Sequence, residues 1–265
     1  MDSFSLFHSF LQRNRRGPFR RKMAAVARTI VNAWENRSYD HEVNGEGQVL
    51  SATGRLNRVI LDVGANVGGW AAVARRASPL ATIHCFEIVP QTVDQLRKNL
   101  GADPNIRING FGLGEATREI EVRYYRDAPR QSSAFATMDR PSVLVRSRIM
   151  NGDEYLRSAS IEYVDFLKVD TEGMDGQVLR GFGGALRERR IRVIQFEYGR
   201  PNIASRFLLA DFHALLEPNG YVVGKIFPRS VEFRSYRAEH EDFEGPNFLA
   251  VDANENELIE ALSRA

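Results

Sequence analysis

Cysteine is almost missing from this 265-residue chain, which holds only Cys85. A single cysteine excludes an intrachain disulfide and any thiolate metal cluster, and it suits a reducing compartment. A cytoplasmic location is therefore expected. Histidine is scarce as well, with five residues, and no two stand at metal-ligand spacing. No apolar run approaches the ~20 residues that span a bilayer. The apolar stretch at residues 4–11 is broken by Ser5, His8 and Ser9 and follows Asp2. It lacks a basic leader and a small-residue cleavage site, so it does not read as a secretory signal. There is no internal repeat and no low-complexity tract. Acid is lacking in one place. Residues 3–34 carry Arg13, Arg15, Arg16, Arg20, Arg21, Lys22 and Arg28 with no Asp or Glu. The whole chain has 36 bases and 34 acids, so the rest of it is mildly acidic. The basic character belongs to an N-terminal arm, read first as a solvated leader, with anionic lipid or nucleic acid as alternative contacts.

What is present alternates between two periods. Residues 22–37 have helical apolar spacing, with Trp34 read as core. Residues 39–47 are polar and Gly-rich and read as loop. Strands are expected at 58–63, 82–86, 106–108, 163–170, 191–196, 221–227 and 248–251. Helices are expected after Gly69, from Pro90 to Leu100, and over 174–186, 207–216 and 255–262. The alternating run 120–125 suggests a hairpin, while 128–150 carries no clear period. Continuous apolar strands separated by helices argue a mostly parallel sheet covered on both faces.

The first strand closes in Asp62-Val63-Gly64-Ala65-Asn66-Val67-Gly68 and opens a helix. Glycine lets backbone approach a ligand there, and the helix start offers free N–H groups. Glu87 ends the next strand, where an acid can accept the hydroxyls of a ribose. A nucleoside cofactor at the carboxyl ends of the strands follows. A dinucleotide turn prefers G-x-G-x-x-G, and here Asn66 stands at the second glycine. Asp62 suits a sulfonium or an α-amino group better than a pyrophosphate, which it would repel.

These segments resemble the class I methyltransferases, and more narrowly the FkbM family. The narrower resemblance rests on Val164-Asp165-Phe166-Leu167-Lys168-Val169-Asp170-Thr171-Glu172-Gly173, on Val178-Leu179-Arg180-Gly181, and on Phe196-Glu197-Tyr198. Tyr39-Asp40-His41-Glu42-Val43-Asn44-Gly45-Glu46 is similar to an N-terminal element of some members. The resemblance implies a seven-stranded Rossmann-like α/β sheet with helices on both faces, preceded by a helical cap. It divides the chain into a basic arm and cap at 1–52 and a methyltransferase domain at 53–265. It implies S-adenosylmethionine as methyl donor and O-methylation of a small-molecule hydroxyl on a sugar, glycosylated metabolite or natural product. It also implies a cofactor site of Glu46, Asp62, Gly64, Ala65, Asn66, Gly68, Glu87, Ile88, Gly112, Leu113 and Asp170. Thr171 and Met174-Asp175 depart from the family, which often carries Val and His-Glu there.

A neutral hydroxyl needs a proton acceptor, or a metal that lowers its pKa. Asp170 at a strand tip is the first choice of acceptor, with Glu172 orienting it or binding substrate and Glu197 as a third acid. His41 and His240, in polar loops, are the alternative bases. Asp170, Glu172 and Glu197 are also the set that would hold a divalent cation, a less favoured reading. Asp170 or Thr171 would equally serve as N-cap of the helix near Gly173. Ser132-Ser133 and Tyr124-Tyr125 are candidates for the acceptor side. The rival functions are an NAD-dependent oxidoreductase, a methyltransferase-like module without activity, and a nucleic-acid methyltransferase. The last lacks an Asn-Pro-Pro-aromatic motif and a catalytic Pro-Cys pair. A nucleic-acid partner is not favoured, and a homo-oligomer is left open.

Overall fold

The expected alternation of strands and helices organises the computed structural model, which describes residues 3–13, 17–41, 43–128, 132–135, 141–245 and 247–264. The chain runs α1 (Ser3–Arg13), α2 (Pro18–Trp34), α3 (Glu46–Thr53), β1 (Val59–Val63), α4 (Gly69–Ala77), β2 (Thr82–Phe86), α5 (Pro90–Leu100) and β3 (Ile106–Asn109). It continues through β4 (Gly112–Gly114), β5 (Arg118–Tyr124), β6 (Val143–Asn151), α6 (Gly152–Ser158), β7 (Val164–Val169), α7 (Asp175–Gly181), α8 (Gly183–Arg187) and β8 (Ile191–Glu197). It ends with α9 (Pro201–Ser205), α10 (Leu209–Leu216), β9 (Tyr221–Ile226), β10 (Val231–Phe233), β11 (Asn247–Asp252) and α11 (Asn256–Ser263).

One large sheet has the order β10-β9-β11-β8-β7-β1-β2-β3. β3, β2, β1, β7 and β8 are parallel. β11 runs antiparallel between β8 and β9. The expected seven strands are all present. The eighth, β10, is a three-residue edge strand paired with β9 inside what read as a polar loop. Because side chains alternate across a strand, each central strand feeds two apolar layers. Leu61, Leu167 and Phe196 pack with Val178, Leu179 and Phe212 on one face. Ile60, Phe166 and Val193 pack with Val49, Leu50, Trp70 and Ala71 on the other. α3 straddles the expected boundary at residue 52, and its buried Val49 and Leu50 belong to the second layer.

Several local expectations change. Helix 22–37 is α2, which starts at Pro18, where a proline has no N–H to lose. Trp34, read as core, is exposed, because α2 packs on no layer of the sheet. The arm expected as a solvated leader also contains α1. The helix expected over 174–186 breaks at Phe182 into α7 and α8, where Gly181, Gly183 and Gly184 weaken helical continuity. The run 120–125 does form a β-ribbon, but its partner is β6, in the stretch that lacked a period. Arg146 and Arg148 pair across to Glu121 and Glu119 on one side of that ribbon, which masks the alternation. β4, β6 and β5 form a second, three-stranded sheet.

Candidate active site

Alternation along the parallel strands also decides where charge goes. Asp62 on β1, Lys168 on β7 and Gln195 on β8 share the face of Ile60, Phe166 and Val193, covered by α3 and α4. All three are buried near the carboxyl ends of their strands. The Lys168 ammonium lies 2.9 Å from Asp170 Oδ2 and 3.8 Å from Asp62 Oδ1. The Trp70 ring faces it, with its centroid 5.6 Å from Nζ. Burial works against the charge on Lys168, but Asp170, Asp62 and Glu46 outweigh it and hold the ammonium well above its ordinary range. Asp62 is fully buried, and neither of its oxygens has a hydrogen-bond partner among the described residues. Desolvation raises it to about 6, with Lys168 pulling the other way.

A second group of acids adjoins the first. Glu172 is pushed up to about 8, by burial and then by the charges of Asp170 and Asp175. Asp175 is raised to about 6 by burial and Asp170. Its Oδ2 accepts from the Thr171 hydroxyl at 3.1 Å and the Gly173 N–H at 3.2 Å. Glu197, at the tip of β8, is raised well above its usual range by burial, Asp170 and Glu172. Thus Asp170 is the charge that the other carboxyls feel, and it is the one held directly by the buried lysine. It does not cap a helix. α7 begins at Asp175 after Met174, without a side-chain cap.

The turn after β1 is built by tertiary packing. Gly64 has φ +88, and a Cβ there would sit 1.8 Å from the Asp170 carbonyl oxygen. Gly68 has φ +90, and a Cβ there would meet the Leu96 and Leu100 methyls within 2.8 Å. Both glycines are therefore demanded by neighbouring protein, independently of any ligand. Ala65 is buried, its N–H donating to the Phe86 carbonyl. Asn66 takes φ +50 and donates its N–H to Glu87 Oε2 at 3.0 Å. Glu87 Oε1 accepts from the N–H groups of Ile88 at 2.9 Å and Val89 at 2.8 Å. A carboxylate offers about four acceptor sites. Three are taken, which leaves capacity on Oε2 for a hydroxyl, fewer than the pair of free oxygens expected from sequence. Burial raises Glu87, and these three N–H donors oppose the shift.

A cleft open at its mouth runs along the tips of β1, β2 and β7 beneath the small sheet. Of the residues expected from sequence, Gly64, Asn66, Glu87, Ile88, Gly112, Leu113, Asp170 and Glu172 line it. Ser132 and Ser133 line it too, and the Ser133 hydroxyl donates to the Glu172 carbonyl at 2.6 Å. Tyr124 and Tyr125 do not. Asp62, Ala65, Gly68 and Glu197 lie outside its lining. So does Glu46, whose carboxylate accepts from Asn44, Asn247 and Gln195 at 2.7, 2.8 and 2.6 Å. His41 stands beside the start of α4, its Cε1 4.0 Å from where a Cβ on Gly69 would be. His240 closes a 3-10 turn and accepts from the Arg237 N–H at 3.2 Å. Burial and Arg234 lower its pKa. Neither histidine lines the cleft. Among the described residues, no three His, Cys, Asp or Glu side chains are arranged to hold a metal ion.

Lys168 and Asp175 are the functional candidates that sequence reasoning passed over. The signal for Lys168 was available: a lysine in a strand apolar on both sides, two residues before an acid on the same face. Val122, Ile149 and Met174 also line the cleft, but the small sheet that supplies the first two has no long apolar period.

With the geometry in place, comparison with known proteins gives a consistent answer. Residues 62–223 match the family model described as the Methyltransferase FkbM domain. The chain is 26% identical to the hexuronic acid methyltransferase AglP of Haloferax volcanii, over 66% of this chain and 72% of that protein. It is 26% identical to the 2-O-methyltransferase NoeI of Sinorhizobium fredii, over 70% of this chain and 81% of that protein. The crystal structure of a methyltransferase FkbM from Methylobacillus flagellatus aligns at a TM-score of 0.46 and 15% identity, over 73% of this chain and 43% of that one. The family match covers the turn, Glu87, the Lys168–Asp170 pair and Glu197, and the chain belongs to the FkbM methyltransferase family, an S-adenosylmethionine-dependent methyltransferase.

Proposed function

We propose that the chain methylates a hydroxyl of a carbohydrate-containing small molecule. The names of two relatives, a hexuronic acid methyltransferase and a 2-O-methyltransferase, support that acceptor class. The observation that carries the chemistry is Asp170, an acid at the cleft wall held by a buried lysine and ringed by carboxyls of raised pKa.

The residues present fit the cofactor. Glu87 retains acceptor capacity for a ribose hydroxyl. Ile88, Leu113, Val122 and Ile149 form an apolar wall for a base, and Asp170 and Glu172 supply negative charge for cationic groups. The bound cofactor supplies an activated methyl, whose C–S bond breaks as the acceptor oxygen forms its C–O bond. The protein's own task is alignment and proton removal. Asp170 takes the acceptor hydroxyl's proton. Lys168 holds that carboxyl in place through its 2.9 Å contact. Glu172, protonated near neutral pH, offers an O–H donor to a second acceptor oxygen. Glu197 is buried beside Asp170, with its carboxyl held well above the usual range by burial and then by Asp170, and it lies outside the cleft lining, so it neighbours Asp170 without competing for substrate. The cytoplasm is the setting we assign to this reaction.

The test is Asp170→Asn. Calorimetric titration with S-adenosylhomocysteine should give affinity within a few-fold of wild type, while turnover on uronic-acid glycosides falls by about a hundredfold or more, the usual weight of a general base. Wild-type turnover in this variant would remove Asp170 from proton transfer. Binding of NAD in place of the homocysteine derivative would overturn the cofactor reading.

A further inference from the structure

The two N-terminal helices take no part in the cleft, yet they are built to meet something. Residues 21–34 of α2 are exposed on every side. Met23, Val26, Ala27, Ile30, Val31 and Trp34 recur at helical spacing and form one stripe. Val26 is 60% exposed, Ile30 63% and Trp34 77%. Leu6 and Phe7 of α1 are also exposed. An apolar stripe of this size in water normally marks an interaction surface.

The stripe is not on a free tail. Asn36 Nδ2 donates to the carbonyls of Asn44 at 2.7 Å and Ile226 at 2.9 Å. Arg37 pairs with Asp242 at 3.0 Å. Ile226 ends β9, which is antiparallel to β11, itself antiparallel to β8. The arm is therefore pinned at the same end of the sheet, the carboxyl ends of β7, β8 and β9, where Asp170 and Glu197 stand.

Charge identifies the occupant. Residues 3–34 hold seven bases and no acid. A second copy of the arm would bring seven more positive charges to the same contact, which opposes self-association. A nucleic acid would pair with the bases but leave the apolar stripe in water. An anionic lipid surface accepts both. We propose that α1 and α2 dock this methyltransferase on an anionic membrane surface. Val26, Ile30 and Trp34 enter the boundary between headgroups and acyl chains, and Arg21, Lys22 and Arg28 face the lipid phosphates. The catalytic edge is then held close to the membrane, independently of which acceptor it methylates.

The chain reports on this by itself. Its two tryptophans are Trp34, exposed, and Trp70, 7% exposed and packed on Phe166. The full chain is mixed with vesicles of phosphatidylcholine alone or with added phosphatidylglycerol, and both sedimentation and tryptophan emission are read. Expected are co-sedimentation and a blue shift with the anionic vesicles only, both reversed by salt. Trp34→Phe should lose the shift, and Ile30→Glu should lose sedimentation while still binding S-adenosylhomocysteine. Arg21→Ala with Arg28→Ala should weaken partitioning by roughly thirtyfold, at about 1 kcal/mol per base. Absence of folded wild-type protein from the anionic pellet overturns the proposal. So does Ile30→Glu that sediments like wild type, RNA binding without vesicle binding, or a dimer that buries Trp34 without lipid.

Discussion

Replacing Lys168 by methionine tests whether one buried ammonium organises the site. The side chain is buried between Asp62 and Asp170 with Trp70 over it. Methionine keeps most of the volume and removes the charge. Asp62 would then be a buried carboxylate with no cation and, among the described residues, no hydrogen-bond donor. Breaking one side of a buried pair costs about 3–5 kcal/mol. At about 2–4 °C per kcal/mol for a domain of this size, Tm should fall by roughly 6–20 °C. The loss should shrink on acidification, because protonated Asp62 no longer needs its partner, and Asp62 already sits at about 6. The melting curves should therefore lie closer to wild type at pH 5.5 than at pH 8. Adding Asp62→Asn to Lys168→Met should restore at least half of the lost stability at pH 8, while Asp62→Asn alone should cost less than Lys168→Met alone. A drop of under about 2 °C, or an equal loss at both pH values with no recovery in the double variant, would refute the reasoning. Lys168 would then be a passive filler of the strand.

Three further outcomes follow from the same geometry. Glu87→Gln replaces an acceptor oxygen by an amide donor facing the N–H groups of Asn66, Ile88 and Val89, so S-adenosylhomocysteine affinity should fall about tenfold to a hundredfold, at 1.5–3 kcal/mol per charged hydrogen bond; calorimetry on the folded variant reads this directly, and unchanged affinity removes Glu87 from the ribose. Glu172 and Glu197 are held above their ordinary values, so the folded state keeps protons that the unfolded chain has released, and stability falls as pH rises through the folded values. Buried His84, lowered to about 4, acts in the opposite sense below pH 6.5, so the decline in Tm should be clear between pH 6.5 and 8.5; a flat or rising Tm there contradicts the shifts. Finally, the sulfonium of S-adenosylmethionine should draw protons from Glu172, while the uncharged sulfur of S-adenosylhomocysteine should do so less. Titrations at pH 7.5 in buffers of different ionisation enthalpy should show more protons released by the former, and equal release would separate Glu172 from the cationic end of the cofactor.

The sequence made most of the large sheet legible because its strands are buried on both faces and read as unbroken apolar runs. The turn, Glu87 and Asp170 were legible for a related reason: each lies where such a run stops. Legibility failed where two influences cancel. β6 carries Arg146 and Arg148 on one side and Ile149 on the other, and its partner β5 lies far upstream, so neither composition nor a short turn betrays the pair. Trp34 was misplaced because an apolar stripe in sequence says that a face seeks a partner without saying that the partner is the chain itself. Asp62 was expected to meet the cofactor because an acid at a strand tip looks available, and only the pairing of β1 with β7 puts Lys168 opposite it.

That pairing changes the argument from the sign of the site without reversing it. Asp62 alone cannot select a cation, since Lys168 already faces it. Yet Asp62, Glu172, Asp175 and Glu197 all neighbour Asp170, and all four are raised, first by burial and then in part by the charge of Asp170. Burial is the larger cause of each shift, and the charge of Asp170 adds to it, so further negative charge beside these acids is disfavoured. A pyrophosphate entering beside them would raise that cost. A sulfonium and an α-amino group would lower it. Glu172, raised to about 8 by burial first and then by Asp170 and Asp175, keeps a proton near neutral pH. In the mechanism we propose, the proton acceptor Asp170 and the hydrogen-bond donor Glu172 thus stand two residues apart on one loop, both lining the cleft.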